Sequence, residues 1–539
     1  MKRLQLFILM VALTSINLSA QTVFLKSYGD ENPNYFPSHV TDNDGNSYFG
    51  GYFLYPTFEI GEFTLTSDFS TTPFIYKVDP DGNVIWAFSE PSAANPTLYD
   101  IALDNDNNFI ICGEFSGTDA VFSGITLSST QGSAYIAKYN SDGEIIWAKN
   151  LPGESLGYSL LSIDDENNII VGGYTTGDLT FLGNEVEVFG DYDVIYGKYD
   201  ANGNELWMES MGSPGSESLS SIATDHDGNI FLSVRYYQSF TFQDVYVENS
   251  GLGDGLLTKT NPNGEAQWIK TFTGEGDGAG PRSMVADENN DLYVNVELNA
   301  GELYDANGFD NYGYTDVYLM KIHGDDGELS WSKFGGGGNY DHPAEIALGT
   351  DGIFITGTYQ GAAEFDGLQL YTEFQSGFIV AYQRDGSIAQ VYDINGNDFV
   401  TPQGLDVDAH GNLYCSGTFA ENAIVSDAPE VTTVGGADIF LYKLGSVLVP
   451  VNNIPKPEIN IELFPNPSAE KITLTIPELS VENISISILN TEGQNVFTEN
   501  NLNLSNEKTI DLHTLPAGSY TMIIISGHNI VSSKKFVRL

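Results

Sequence analysis

The sequence predicts an all-β fold: a seven-bladed β-propeller closed by an N-terminal strand, followed by a small C-terminal β-sandwich. Three observations predict it. A Gly-x-x-x-Trp segment recurs about every sixty residues, each recurrence carries two tight turns between short apolar runs, and the composition has 57 Gly and 30 Tyr without a long helical period.

The tryptophans fix the repeat. Trp86, Trp147, Trp207, Trp268 and Trp331 each stand four residues after a turn glycine, in DGNVIW, DGEIIW, NGNELW, NGEAQW and DGELSW. Asp-Gly and Asn-Gly accommodate the positive φ of a tight hairpin, so the strand before each turn folds back antiparallel onto the Trp strand. Those preceding strands also recur, as FIYKV from residue 74, YIAKY from 135, VIYGKY from 194, LLTKT from 256, VYLMKI from 317, FIVAY from 378 and IFLYKL from 439. A second hairpin lies upstream in every unit, with turns at 42–46, 104–108, 164–168, 225–229, 287–291, 349–352 and 408–412. Each unit therefore holds four short antiparallel strands, and seven such units stacked radially make a propeller.

The last unit lacks its outer strand, because LGSVLVP follows Lys443 with neither turn nor Trp. FLKSYG at 24–29 supplies the match, with Phe24 in the Trp position and Lys26 aligned with Lys149, Lys270 and Lys333. A ring closed by its own N-terminus leaves no open edge. The sixth unit departs from the pattern, with Gln390 in place of Trp and Ala381 in place of Lys.

The pattern Asp-x-Phe/Tyr-Ile/Leu-x-Lys-Tyr-Asp-x-Asp-Gly-x-x-x-Trp, followed by a Gly-rich acidic loop and Ile-Ala-x-Asp-x-x-Gly-Asn-Ile/Leu-Tyr, resembles the SBBP-type β-propeller repeat of secreted bacterial proteins across residues 22–449. That resemblance implies a fold and an exported setting; it specifies no activity.

The ends read as addresses. Lys2 and Arg3, the apolar run Leu4–Leu13 and the small pair Ser19–Ala20 form a signal-peptide layout over residues 1–20, with cleavage expected after Ala20. No transmembrane segment is expected in the remainder. Residues 21–449 form the propeller, and the Pro-rich stretch 450–459 reads as a semi-rigid linker. In residues 460–539 the succession ELFPNP, KITLTIP, ISISILNTEGQNVF, TIDLHTLPAGSYTMIII and SKKFVRL is similar to the type A sorting domain of type IX secretion. The resemblance implies passage through the outer membrane, engagement of the type IX apparatus, and release or surface attachment once the tail is removed. Lys534, Lys535 and Arg538 concentrate the tail's basic charge in its last six positions and are the expected sorting signal.

Charge is uneven. Residues 21–449 carry 13 Lys and Arg against 64 Asp and Glu, out of a chain total of −52. Such a field repels nucleic acid and anionic lipid. Ten of the 13 basic residues sit at two repeat positions, Lys77, Lys138, Lys198, Lys259, Lys321 and Lys443 at one and Lys26, Lys149, Lys270 and Lys333 at the other, so they are architectural. Arg235, Arg282 and Arg384 break the pattern, and Val234 and Val296 replace the Gly found at 51, 113, 173, 357 and 417. Local breaks in a repeat are where function intrudes. The two cysteines, Cys112 and Cys415, fall on opposite faces of aligned repeats and are expected as buried free thiols.

The sequence holds no HExxH, Walker loop or CxxC. The Asp-rich turns DNDG at 42–45 and DHDG at 225–228 space carboxylates as calcium loops do, but the bidentate Glu of an EF-hand does not follow, and a hairpin needs those residues in any case. A quinoprotein-like redox enzyme is a remote alternative suggested by the Gly-x-x-x-Trp turns; it wants paired cysteines and a basic cluster that the chain does not have. The expected function is a secreted or cell-surface binding, adhesion or scaffold protein, the alternative an extracellular polysaccharide-acting hydrolase or lyase. The expected binding residues lie in the loops that enter each blade: Asp30, Glu90, Glu154, Glu217, Asp277, Asp341 and Asp398, around one mouth of the channel, with Arg282 as the basic intrusion beside Asp277. Their focused field is expected to attract Ca²⁺ or a cationic or hydroxyl-rich ligand, a glycan or a protein.

Overall fold

The computed structural model describes residues 22–29, 35–130, 132–152, 156–177, 179–250, 253–272, 280–299, 313–350, 352–425, 428–445, 462–475, 481–490, 495–504, 507–526 and 529–539. The segments expected as signal peptide, 1–20, and linker, 450–459, lie outside them. Among the described residues every regular element is a strand, and no helix is long and apolar enough to cross a membrane.

The first unit shows the pattern. Tyr35–Thr41, Ser47–Phe53, Thr72–Val78 and Val84–Ser89 pair in sequence order as a four-stranded antiparallel sheet. The same meander recurs in each later unit, the fifth and sixth being joined where Gly335–Gly337 pairs with Ala363–Phe365. In the seventh, Val400–Val407, Leu413–Phe419 and Asp438–Leu444 are followed in the sheet by Thr22–Tyr28, which runs antiparallel to Asp438–Leu444 with Lys26 opposite Leu441. The first strands touch one another in cyclic order, the seventh unit's against the first unit's included.

The turns recur because one side chain organises each of them. Asp42 Oδ1 accepts the amides of Asp44 and Asn46, and the Asn46 side chain bonds back to the same carboxylate. Asp104, Asp164, Asp225 and Asp408 repeat this arrangement. The calcium-like spacing thus serves the hairpin itself, its carboxylates already occupied by backbone N–H groups.

Apolar packing lies between the sheets rather than within them. One cluster joins Tyr48 and Ile75 of the first unit to Ile101, Phe109 and Tyr135 of the second, and comparable clusters follow around the chain. Another joins Tyr28, Tyr414, Ile439 and Leu441 of the seventh unit to Phe49, Phe58, Phe74 and Tyr76 of the first. At about 1.5–3 kcal/mol for each large side chain removed from water, these seams hold the sheets together.

The repeated Trp, Gly and Lys positions join neighbouring units. Trp147 packs on Gly203 and Trp207 on Gly264, turn glycines whose φ of +73° and +86° suits a residue without Cβ. Phe24 lies in the same way against Gly82, and Tyr28 donates to the Gly82 carbonyl at 2.8 Å. Lys138 pairs with Asp104 at 2.7 Å, Lys198 with Asp164 at 2.8 Å and Lys259 with Asp225 at 3.0 Å. Lys138 and Lys259 also donate to carbonyls of the next unit, Ala201 and Gly324, and Lys443 of the seventh donates to Pro80 of the first at 2.8 Å. Arg384 works at the same end of the molecule, donating to the Gly349 carbonyl at 2.8 Å and lying near Asp287. Cys112 and Cys415 are buried free thiols, and burial raises both, Cys415 to about 12.

The C-terminal part pairs Glu462–Phe464, Lys471–Thr475 and Glu507–Asp511 in one sheet and packs them on Val481–Leu489, Gly518–Ser526 and Asn529–Arg538 around Ile472, Leu474, Ile488, Met522 and Phe536. The sixth unit's long hairpin, Gly352–Phe365 with Leu368–Gln383, meets it where Leu370 pairs with Asn529.

Candidate functional site

Every first strand starts at one end of the molecule, here the loop face, and runs to the Asp turns at the other, the turn face. Midway along, these strands enclose a cavity of about 560 Å³ whose lining includes Ser38, His39, Asp100, Arg282, Glu345 and Asp406. The strands carry a bulge there in each unit, for example between Leu98 and Asp100 and between Pro343 and Ile346, which turns an extra side chain inward.

Three cavity residues are carboxylic acids with backbone anchors. Asp100 accepts the amides of Ile101 and Leu161, both at 2.8 Å, Asp406 accepts those of Thr41 at 2.7 Å and Val407 at 2.8 Å, and Glu345 accepts that of Ile346 at 2.9 Å. Burial pushes Asp100 and Asp406 up to about 6 and Glu345 up to about 8, with repulsion from Asp100 and Asp406 adding to the rise at Glu345. The chamber thus presents three buried carboxyl groups whose surroundings favour the protonated form, Glu345 most strongly, a set suited to hydroxyl groups and to proton transfer. His39, which burial lowers to about 3, is neutral and bonded to Ser416 at 2.9 Å and Thr41 at 3.2 Å.

Two further carboxylates stand near the loop-face ends of the second strands. Glu114 accepts the hydroxyls of Tyr99 at 3.0 Å and Tyr174 at 2.5 Å. Glu297 accepts Nε and Nη2 of Arg282 at 3.2 and 2.9 Å, and its other close neighbour is His342 Nδ1 at 3.2 Å. Burial alone would raise Glu297, but the bonds from His342 and Arg282 outweigh it and hold the carboxyl down to about 2.

The seven loop acids are not equivalent. Asp30, Glu154 and Asp277 lie outside the described residues. Glu90 is buried and accepts the Ser123 amide, the Ser123 hydroxyl and the Tyr139 hydroxyl. Glu217 is buried over Ser213, and Asp341 is buried with the Gly337 and Gln360 amides. Burial raises all three, Asp341 to about 7. Asp398 is exposed. Among the described residues no three His, Cys, Asp or Glu side chains gather as a metal-holding group. Arg282 does line the cavity, and it pairs with Glu297 at 2.9 Å. In the tail, Lys534 and Lys535 are exposed on the last strand, opposite Met522 and Thr521, whereas Arg538 donates to the Leu512 carbonyl at 3.2 Å.

Asp100, Glu345 and Asp406 did not stand out in the sequence. Their signal was available: Asp100 and Glu345 share an aligned position that other units fill with Ser38, Leu160, Ser221, Ser283 and Gly404.

Residues 462–538 match the secretion system C-terminal sorting domain. The chain is 27% identical over 236 residues to an uncharacterized WD repeat-containing protein of Acanthamoeba polyphaga mimivirus, an alignment that takes in 36% of this chain and 17% of the length of that curated relative. Among solved structures, the WD40 domain of Neurospora crassa Pan2 superposes with a TM-score of 0.39 at 10% identity, covering 81% of this chain and 97% of that one. A polysaccharide lyase, an ulvan lyase, gives a TM-score of 0.41 at 10% identity, covering 79% of this chain and 96% of that one. The tail match makes the protein a substrate of type IX secretion, destined for the cell surface or the extracellular space.

Proposed function

We propose that this protein is a secreted or cell-surface binding module: a seven-bladed propeller, closed by residues 22–28 as the outer strand of the seventh blade, that carries a ligand-binding loop face outside the cell. The observation that carries this reading is the sorting-domain match at 462–538 on a chain whose remaining sheets are ringed around a polar cavity. Cyclic contact of the first strands and the Tyr28 seam support closure, and the SBBP-type repeat suits the exported setting. The signal peptide at 1–20 starts the route, and the basic end of the tail, Lys534, Lys535 and Arg538, meets the export apparatus.

The ligand class proposed is a hydroxyl-rich extracellular polymer. A cavity with three carboxyl groups that can donate or accept, beside Ser38 and His39, matches the alternating donors and acceptors of a glycan. A second reading, a polysaccharide hydrolase or lyase, is favoured by the same Glu345 and Asp100, whose values near neutrality suit acid–base work.

The test is retention of the purified mature protein on a panel of insoluble and soluble polysaccharides, with chromatography of the supernatant for released fragments. Retention without fragments is the expected result. Fragments that disappear in Glu345→Gln support the enzyme instead, and a folded protein that retains none of the panel overturns the glycan-binding reading.

A further inference from the structure

The loop face carries its positive charge in one place. Of the described basic side chains in residues 22–445, the repeated lysines and Arg384 belong to the outer strands, the unit seams or the turn face, and His226, His323 and His410 belong to the turns. His39 is buried and neutral. Arg235, Arg282 and His342 remain, on three consecutive units, and Ser233 of the fourth bonds the Pro281 carbonyl of the fifth at 2.9 Å, which ties the two arginine-bearing strands together.

Geometry gives that charge a ligand-facing form. Glu297 engages Nε and Nη2 of Arg282 and Nδ1 of His342, so both side chains are fixed, while Nη1 of Arg282 and Nε2 of His342 have no partner among the described residues. The two side chains are 38% and 43% exposed. Beside them Tyr340 stacks on His342 with ring centres 6.0 Å apart, and Tyr314 stacks on Tyr340 at 4.7 Å. These tyrosines are 49% and 63% exposed, a row of parallel rings left open to solvent. Nη1 of Arg282, joined by Nε2–H of His342 when that imidazole is protonated with Nδ1 on Glu297, stands next to an aromatic ledge, and these are the parts needed to hold an anionic group and the apolar face of a sugar ring at once.

We propose that Arg282, His342, Tyr340 and Tyr314 form a subsite for an acidic saccharide, a uronate unit of a polysaccharide, with its carboxylate on Arg282 and His342 and its ring over Tyr340 and Tyr314. This rests on the glycan-binding reading above and names the sugar class and the site. Glu297 is a positioning residue that keeps the two donors aimed. The net negative charge of the propeller opposes a polyanion at long range, so the attraction has to come from this local charge, and neutral polymers, which lack the carboxylate it grips, are expected to be held less well.

The experiment is isothermal titration of the purified mature chain with tetragalacturonate and with uncharged cellotetraose. Tetragalacturonate is expected to bind about tenfold or more tightly, with affinity falling as salt rises. His342→Gln and Tyr314→Ala are expected to weaken it about tenfold each, and Arg282→Met more, with the 63% exposed Tyr314 leaving the melting temperature unchanged when truncated. Equal affinity for the acidic and neutral tetramers, or full affinity in both His342→Gln and Tyr314→Ala, overturns the subsite and leaves glycan binding elsewhere on the protein standing. A folded wild type that binds neither tetramer nor any panel polysaccharide overturns the subsite and the glycan reading together.

Discussion

Truncating Leu25 to alanine tests the closing strand at its most buried point. Leu25 is 6% exposed and packs between the sixth and seventh units with Phe354, Ile379, Cys415, Phe440 and Tyr442. Leu→Ala changes in packed cores cost about 2–5 kcal/mol, and a strand at the outer edge relaxes more than a central one, so about 2–3 kcal/mol is expected here. In a domain of this size each kcal/mol moves the melting temperature by roughly 1–2 °C, which gives a drop of about 2–6 °C. Val23, 51% exposed on the same strand, supplies the control, since Val23→Ala is expected to change stability by less than about 0.5 kcal/mol. Tyr28→Phe removes the 2.8 Å bond to the Gly82 carbonyl and is expected to cost about 1 kcal/mol. Scanning calorimetry of the mature protein reads all three. A Leu25→Ala protein that melts within about 1 °C of the parent, as Val23→Ala does, would refute the packing of residues 22–28 into the ring.

Other outcomes follow from the same contacts. Lys259→Ala leaves Asp225 buried and without its 3.0 Å partner, so urea denaturation should show a loss of about 3 kcal/mol or more, larger than the loss for Lys270→Ala, whose lysine is half-buried and pairs with an exposed Glu328. Asp100 and Asp406 at about 6, Asp341 and Asp393 at about 7 and Glu345 at about 8 hold protons when folded that they release when unfolded, so stability should fall as pH rises from about 4 to about 8. Glu345→Gln should flatten that slope, measured as the difference between urea midpoints at pH 5 and pH 8; an unchanged slope excludes Glu345 as a contributor. Glu297, held at about 2, acts in the opposite sense and withdraws its contribution only below about pH 4. Cys112 and Cys415 should resist a thiol reagent in the native protein and both react in denaturant, and rapid labelling of either in the native state would contradict their burial.

The repeat was legible because each of its marks has a local cause. A turn glycine, the Trp of the preceding unit laid over it and the buried Lys all recur at fixed offsets, and Phe24 on Gly82 follows the rule that sets Trp147 on Gly203. The loop acids were not legible in the same way. An Asp or Glu in a loop reads as solvated, but Glu90 and Glu217 are folded back onto the amides of Ser123 and Ser213, a long-range or backbone-conformational fact that spacing alone does not carry. The cavity carboxylates were hidden by the opposite effect: in the first strands Asp100, Glu345 and Asp406 read as the polar half of an alternating pattern, and only the ring turns that polar face inward. Arg282 was singled out as a break in the repeat, but its partners Glu297 and His342 come from neighbouring strands and needed the structure to appear.

Partition of the protein between periplasm, cell surface and medium is the most direct measurement of an exported propeller addressed by its tail, made in a type IX-competent host for the full chain and for the chain lacking residues 460–539. The full chain is expected outside the outer membrane, and the shortened chain is expected to remain in the periplasm as a folded, protease-resistant propeller. Appearance of the shortened chain at the surface or in the medium at the level of the full chain would contradict the role given to residues 462–538.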